Sequence, residues 1–569
     1  MMFGDTFTMD EFSTKQGQLF YSFPIYEEEK AKIDAIMSLL DRSGIAEAIG
    51  RRARKGDGGR PPFNPYKLFA AVVLGFVFGH SSLREIESSC RNDLRFIYVL
   101  DNQVPDYSTI SRFINGVILP QKELLFSMIM KTVFGECRIQ PDTCYIDGTK
   151  QEADANRYRF VWKPTRWHEK LDGRIRSLLE TMGLGNDLPA KGYLPSSLIA
   201  RKVEKAAAST YDGNAWQGML KNLTGYLLKV IEYEEKEAIC GPCRNSYYKT
   251  DHDATAMCLK QDYYSGLGSS MHAAYSVQLI TSHGFVASYL VSQERADMHV
   301  FAKAIDVFHT MYGIYPSRIG ADAGYGCTEN WKYCHEHGIK GFVKYGSWAG
   351  ERSGRNPAVY TLEDDDSITC LGDRKGYKVG MPNRHPKRKG AVFYKVDGCD
   401  GCQLMPYCRR FMNEGVGSFK IFEVSPEYQR YKQEARNLLL SVEGIEMRVN
   451  RSIQAEGAFG GIKQNMSYTR LRRTGLDKAS LEIMLTCLGF NIRKYMKAIA
   501  KGTEFNEWKA PDSAVPETFK KPSAKRLANR VSRARKKSAN EAVRDSHKYK
   551  KTIMTTGSAG GMGKPYKGM

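Results

Sequence analysis

The chain has 569 residues, 42% of them hydrophobic and 11% aromatic, with 84 Lys and Arg against 63 Asp and Glu for a formal net charge of +21. This length and apolar content exclude a disordered polymer and a single small core, and predict two to four domains. The charge points to a polyanion, so nucleic acid is the expected partner through counterion release. A membrane surface is the rival, but the best apolar run, Leu68–Phe78, has about half of the ~20 residues that a spanning helix needs. No signal peptide is visible, and a cytoplasmic protein with no membrane partner is expected. Thirteen cysteines in so large a chain are not a secreted disulfide framework.

Residues 1–140 read as helical. Tyr26–Ile49 has helical periodicity, and a basic, Gly-rich link follows with Arg51, Arg52, Arg54, Lys55 and Arg60, ending at Pro61-Pro62. Pro65–Phe78 is an apolar helix and Ser82–Cys90 a short polar one. Pro105 breaks the chain before Ser108-Thr109-Ile110-Ser111-Arg112-Phe113, where Ser108 is placed to cap the next helix. Two short helices around a turn, the second bearing Arg112, suit either a helix-turn-helix reader of DNA or an ordinary helical bundle.

Thr143–Asp147 is a β-prone run ending on an aspartate. Trp167–Glu237 returns to helix, with Leu220, Leu223, Leu227 and Ile231 recurring at spacings of three and four. It reads as a helical arm closed by Cys240-Gly-Pro-Cys243, a lone pair of structural thiols. His272–Thr281 and Phe285–Ser292 predict a hairpin around Ser282-His283-Gly284, followed by a helix over Arg295–Tyr312. Ser317–Asp322 is a second short strand ending on an aspartate. A cysteine-bearing insertion comes next, with Cys370, Cys399, Cys402 and Cys408 spaced workably for one structural Zn²⁺.

In Arg448–Lys463, helical spacing puts Glu456 and Lys463 two turns apart on one side, with Ile453 and Phe459 anchoring that side in a core. The pair Gly460-Gly461 weakens a helix and suits close approach of a backbone or ligand. Residues 476–500 predict an apolar helix. The remainder, from Lys501, is a basic tail whose Lys520–Lys551 tract reads as a disordered or helical arm for nucleic acid. Gly557–Lys564 fails as a phosphate loop, because the spacing is one residue too long and Pro565 stands where Ser or Thr is needed. The element order predicts an α/β chain with Asp147 and Asp322 at the ends of neighbouring strands and Glu456 on a helix beside them. Three carboxylates on rigid elements are what a two-metal phosphoryl-transfer site requires.

Y-I-D-G-T-K around Asp147, R-N-S-Y-Y-K-T-D-H-D-A-T at Arg244–Thr255, A-D-A-G-Y-G around Asp322 and N-R-S-I-Q-A-E-G-A-F-G-G-I-K around Glu456 resemble the DDE transposases of bacterial insertion sequences, and within them the insertion-sequence eleven-eighty-two group. The resemblance runs from about Arg60 to Lys497. It implies a ribonuclease-H-like mixed-sheet core interrupted by two insertions, an all-α N-terminal domain, and a triad of Asp147, Asp322 and Glu456 binding two Mg²⁺ or Mn²⁺ ions. Domain boundaries follow at 1–140 (DNA binding), 141–165, 250–345 and 431–500 (core), 166–249 and 346–430 (insertions) and 501–569 (tail). Related transposases carry Tyr-x2-Arg-x3-Glu-x6-Lys. Here Glu456-x6-Lys463 fits, but Val449 and Ser452 hold the Tyr and Arg positions, and Arg451 is displaced by one. The implied activity is binding of double-stranded DNA at the element's terminal inverted repeats, cleavage, and joining of the ends to target DNA within a homo-oligomeric complex. Lys463 and Arg451 would contact phosphate there. A nuclease of the same fold and a DNA-binding protein with an unused site are the alternatives.

Overall fold

The computed structural model describes residues 24–52, 63–211, 213–242, 244–259, 270–380, 390–408, 418–502 and 504–519, with 527 and 529. Arg54, Lys55, Arg60, Pro61-Pro62, Cys243, Gly557–Lys564 and all of Lys520–Lys551 but those last two residues lie outside the described residues, as do the side chains of Arg51 and Arg52. The chain is mixed α/β and forms two compact units. One holds 1–325, 333–341 and 446–509; the other holds 326–332, 342–445 and 510–569.

In the first unit the N-terminal segment is helical, over Pro24–Arg42, Ile45–Arg52, Pro65–Phe78, Leu83–Asn92, Leu94–Val99, Tyr107–Phe113 and Lys122–Glu136. Local chemistry sets these ends. Asn64 accepts from the backbone N–H groups of Tyr66 and Lys67, Pro65 opens the helix, and Gly79 closes it at φ +89°. Leu68 to Val77 are all buried, so the apolar run is a core helix, and no single described helix is long and apolar enough to cross a membrane. Burying a large apolar side chain such as Phe69 or Phe76 contributes about 1.5–3 kcal/mol before entropy is subtracted. Ser82 and Glu85 form a capping box at the next helix. The expectation that Ser108 caps its helix is corrected. Asp106 does so, accepting from Thr109 N, because a carboxylate two residues earlier reaches the free N–H groups first; Ser108 lies inside the first turn.

The sheet of this unit has the order β4-β5-β1-β7-β8, with β6 also paired to β5. Its strands are β1 (Thr143–Glu152), β4 (Thr255–Leu259), β5 (Ser270–Ser282), β6 (Phe285–Ser292), β7 (Arg318–Ala321) and β8 (Lys340–Val343). β2 (Phe160–Trp162) and β3 (Ser246–Tyr248) pair separately. β1, β5 and β6 are successively antiparallel, while β7 runs parallel to β1. The β5–β6 hairpin turns on His283 and Gly284, at φ +51° and +78°. The helix expected from Arg295 starts only at Phe301, after a short 3-10 turn at Asp297–His299.

Three helices, Thr165–Thr181, Ser196–Ala207 and Asn214–Cys240, pack around their own cluster, which includes Leu171, Ile175, Leu179 and Leu223. Leu476–Lys501 ties the N-terminal helices to the sheet. Any side chain at Gly489 would meet the carbonyl oxygen of Phe76 at 2.6 Å, and the Asn491 amide pairs with both the N–H and C=O of Val286 on β6 (2.9 and 2.8 Å).

The second unit contains an antiparallel sheet of order β13-β12-β11-β10-β9. Its strands are β9 (Tyr360–Leu362), β10 (Ile368–Cys370), β11 (Lys375–Val379), β12 (Val392–Val396) and β13 (Lys420–Val424). Its buried cluster is small: Ile368, Tyr394, Val396, Phe422 and Val424. Residues 510–519, expected to be basic tail, belong to this unit; a turn closes by Ala514 N–H to Pro511 O at 2.8 Å, Glu517 pairs with Arg352 at 2.7 Å and its N–H bonds to Leu440 O at 2.8 Å.

Candidate active site

Register explains why the two aspartates meet. The parallel pairing of β1 with β7 ends at Ile146 opposite Ala321, so Asp147 and Asp322 are the next residues on two adjacent chains. Asp147 is not at a strand end, as the sequence suggested. β1 continues to Glu152 against β5, and Gly148 interrupts β-propensity without interrupting the strand. A Cβ at Gly148 would lie 2.5 Å from the Gln278 amide, so this position must be glycine for Gln278 to cross the strand.

Glu456 comes from a helix that is not a regular α-helix. Val442–Arg451 is α, Ser452–Glu456 is a π turn, Gly457–Gly460 is α, and Gly461–Asn465 is a second π turn. The expected anchors change accordingly. Ile453 is 57% exposed and Phe459 only half-buried, while Arg451, Gln454, Ala455, Ala458 and Ile462 face inward. The widened turn rotates the buried stripe away from the 3.6-residue spacing on which Ile453 was placed.

Arg451 lies at the centre of the site. Its guanidinium is 3.4 Å from Asp147 Oδ2, 3.4 Å from Glu456 Oε1 and 4.0 Å from Asp322 Oδ1. Its side chain is 7% exposed, against 23% for Asp147, 49% for Asp322 and 63% for Glu456. On a regular α-helix residues five apart diverge, whereas the i→i+5 bonding of a π turn returns them to one side. The π turn thus absorbs the one-residue displacement of Arg451. Burial pushes the Asp147 carboxyl above its ordinary range, Arg451 and the Gly148 N–H pull it down, and Asp322 and Glu456 push it up again.

Lys463 donates to Thr149 Oγ1 at 2.6 Å. Thr149 and Asp147 are two apart on β1 and share one strand face, so Lys463 reaches the site's side of the sheet. Alternate residues of β1 serve a second network that the sequence reading missed. Lys150 donates to Asp297 and Ser276 at 2.9 Å, Gln278 donates to Asp297 at 3.1 Å, and Tyr325 donates to Gln278 Oε1. Tyr325 ends the 3-10 turn after Asp322, so this network holds the Asp322 loop; its only sequence trace is Tyr325 within A-D-A-G-Y-G.

A strap was missed as well. Residues 504–509, expected to be tail, return to the helix. Asn450 exchanges two hydrogen bonds with the Trp508 backbone (2.9 and 3.0 Å), and Gln454 and Tyr145 donate to Glu507 at 2.9 and 3.1 Å. The Arg244–Thr255 motif is a structural clasp. Arg244 donates to Cys240 and His252 carbonyls at 3.2 and 2.6 Å, and Asp251 accepts from Tyr275 OH at 2.8 Å and Gly475 N at 3.2 Å. Arg112 lies apart from the triad, exposed on Tyr107–Phe113 and bonded to Ser108 and Thr109 of its own helix.

Carboxylate oxygens from three elements are the right donors for a hard divalent ion, and their mutual repulsion at Asp147 is what such an ion relieves. Arg451 lies between them and pairs with each. Among the described residues no three acidic, Cys or His side chains are gathered tightly enough to share one ion as they stand.

Two family models match the chain. A DUF772 transposase domain matches 24–116, most of the N-terminal helices, and a transposase DDE domain matches 373–496, which contains Arg451, Glu456 and Lys463. Asp147 and Asp322 lie outside both matched segments. No curated protein and no solved structure matches the chain. Both matched segments are transposase domains, and the DDE match contains the helix whose Glu456 meets two strand aspartates, so over these segments the chain is similar to DDE transposases of insertion sequences.

Proposed function

We propose that this transposase binds the terminal inverted repeats of its own element, cuts the DNA at their ends and joins the freed 3′-hydroxyls to target DNA, acting in the cytoplasm as a homo-oligomer on DNA. The convergence of Asp147, Asp322 and Glu456 on the Arg451 guanidinium carries this reading. Asp147, Asp322 and Glu456 would hold two Mg²⁺ or Mn²⁺ ions, which when bound activate the attacking hydroxyl and stabilise the leaving oxygen. Arg451 keeps the three carboxylates within reach of one another and, with Lys463, offers positive charge to the phosphate at the scissile position. No side-chain nucleophile is assigned.

A ribonuclease-H-like core is supported by the antiparallel run β6-β5-β1 with β7 parallel to β1. Motifs Y-I-D-G-T-K and A-D-A-G-Y-G support placing the chain in the eleven-eighty-two group. Arg112, with exposed Tyr107 beside Arg84 (5.2 Å) on the same helical layer, suits contact with DNA by residues 1–140. The other boundaries given above are proposed with it.

The test is Mg²⁺-dependent cleavage of a fragment bearing the element's own end, wild type against Glu456→Gln. Expected is binding of the end by both proteins and cleavage reduced about 10³-fold or more in the variant. Equal cleavage by both removes Glu456 from the site. Cleavage by the wild type without joining of pre-cut ends to a second DNA leaves a nuclease, and binding without cleavage leaves a DNA-binding protein.

A further inference from the structure

The second unit carries a cluster that phosphoryl transfer does not use. Cys370, Cys399, Cys402 and Cys408 line one cavity of about 30 Å³ together with Arg374 and Lys420. A space of that size takes a water or a single ion and no cofactor-sized group.

Two tight turns bring the cysteines there. Cys399-Asp400-Gly401-Cys402 closes by a Cys402 N–H bond to Cys399 O at 3.3 Å, with Gly401 at φ +70° where a type II turn needs a left-handed residue. On the β10–β11 connection, Asp373 N–H bonds to Cys370 O at 2.9 Å and Cys370 N–H to Arg374 O at 2.8 Å. The turns face each other across Gly372, where an added Cβ would lie 3.4 Å from Cys402 Sγ and 3.8 Å from Cys370 Sγ. Cys408 ends the short helix Met405–Cys408, and its sulfur accepts from Lys420 Nζ at 3.1 Å.

The two charged residues that line the cavity, Arg374 and Lys420, are both basic. Lys420 is 8% exposed, and Arg374 Nη1 is buried with no hydrogen-bond partner among the described residues. Buried cations facing thiols offset the net negative charge that four thiolates leave around one divalent ion. The apolar cluster beside them is only five residues, the size of core for which small modules add a metal or disulfides.

We propose that these four cysteines bind one structural Zn²⁺ that staples the β9–β13 sheet. The thiols stand apart along the cavity wall, Cys399 Sγ donating toward Val396 O at 3.7 Å, and side-chain rotation brings them onto one ion. With four protein sulfurs the site is closed and holds no water for chemistry. This inference does not rest on the DNA-cleavage reading, and its test needs no DNA.

The experiment measures zinc by elemental analysis in full-length protein purified under reducing conditions, for the wild type, Cys370→Ser, Cys402→Ser and the control Cys258→Ser, which alters an exposed thiol elsewhere. Expected is one zinc per chain in the wild type and control, and loss of most of it in the other two. Where those variants fold poorly, Co²⁺ titration of the metal-stripped wild type replaces them, with the absorption of tetrahedral tetrathiolate cobalt as the readout. Zinc retained in both Cys370→Ser and Cys402→Ser is adventitious and overturns the proposal. So do reduced wild-type protein that takes up no zinc, and cobalt in an octahedral, oxygen-ligated environment.

Discussion

The sheet and the helix of the candidate active site deliver carboxylates by different means. Asp147 and Asp322 are placed by register: once Ile146 pairs with Ala321, the next residue of each chain has nowhere else to be. Glu456, 63% exposed on a π turn, is placed by tertiary partners, Arg451 on one side and the strap through Asn450 and Gln454 on the other. Backbone ladders are shared among many hydrogen bonds and tolerate the loss of one, whereas a π turn is held by few and depends on each. The sheet half of the site should therefore resist point changes that do not break its packing, and the helix half should be sensitive to length changes that take Arg451 and Glu456 out of line.

Length changes at Ser452 test this most sharply. Inserting one alanine after Ser452 sets Arg451 six positions before the glutamate and out of line with it; Mg²⁺-dependent cleavage of an end fragment should fall about 10²-fold, the scale of a misplaced catalytic group. Deleting Ser452 turns the π turn into an α turn with the same pair four apart, and activity should stay within about 10-fold of the wild type. Equal damage from both changes would show that the π turn does not set the Arg451–Glu456 alignment.

A smaller effect is expected from Gly148→Ala. The added Cβ meets the Gln278 amide at 2.5 Å, so the Lys150–Asp297–Gln278–Tyr325 network must shift. Overpacking of this kind costs about 1–3 kcal/mol, readable by urea unfolding. Unchanged stability would mean that Gln278 has room to move.

The smallest effect is a pH dependence. Burial raises the folded-state Asp147 pKa above its ordinary value, so its contribution to stability is present below the unfolded pKa of ~3.9 and is lost as pH rises through the folded value. Near neutrality, without divalent ions, the ionised carboxylate is a cost. Asp147→Asn should then be slightly more stable than the wild type at pH 7, with the gap closing as pH falls through the raised value toward 3.9. Adding Mn²⁺ should reverse the order, because only the wild type gains by binding. A wild type more stable than the variant at every pH without metal would show that Arg451 outweighs burial.

Much of this site was legible in the sequence because strand aspartates and a helical glutamate sit in locally simple patterns. Asp147 and Asp322 both follow β-prone runs, and the hairpin at His283-Gly284 announces itself by its turn residues. Three features were hidden for physical reasons. Gly148 looks like the end of a strand when propensity is read alone, yet it is the small residue that lets β1 run on. The π winding exposes Ile453 and turns Arg451 and Gln454 inward, where Gln454 meets Glu507, and local periodicity carries neither the π turn nor a partner about fifty positions away. The strap itself lies where the composition turns basic, and its docking rests on Glu507 and the Trp508 backbone, two residues in a segment otherwise read as tail.

That strap also gives the chain a direction of dependence. The triad is complete at Glu456, but the residues that hold its helix from outside are made about fifty positions later, when Glu507 and Trp508 leave the ribosome. A product truncated between Lys501 and Glu507 would keep the helix Leu476–Lys501 and every acidic residue of the candidate site, and lack the strap that holds Glu456's helix from outside. On the function proposed above, such a fragment keeps the N-terminal helices that would contact DNA ends and loses the hold on Glu456, so it would bind ends without cutting them and compete with the full-length protein.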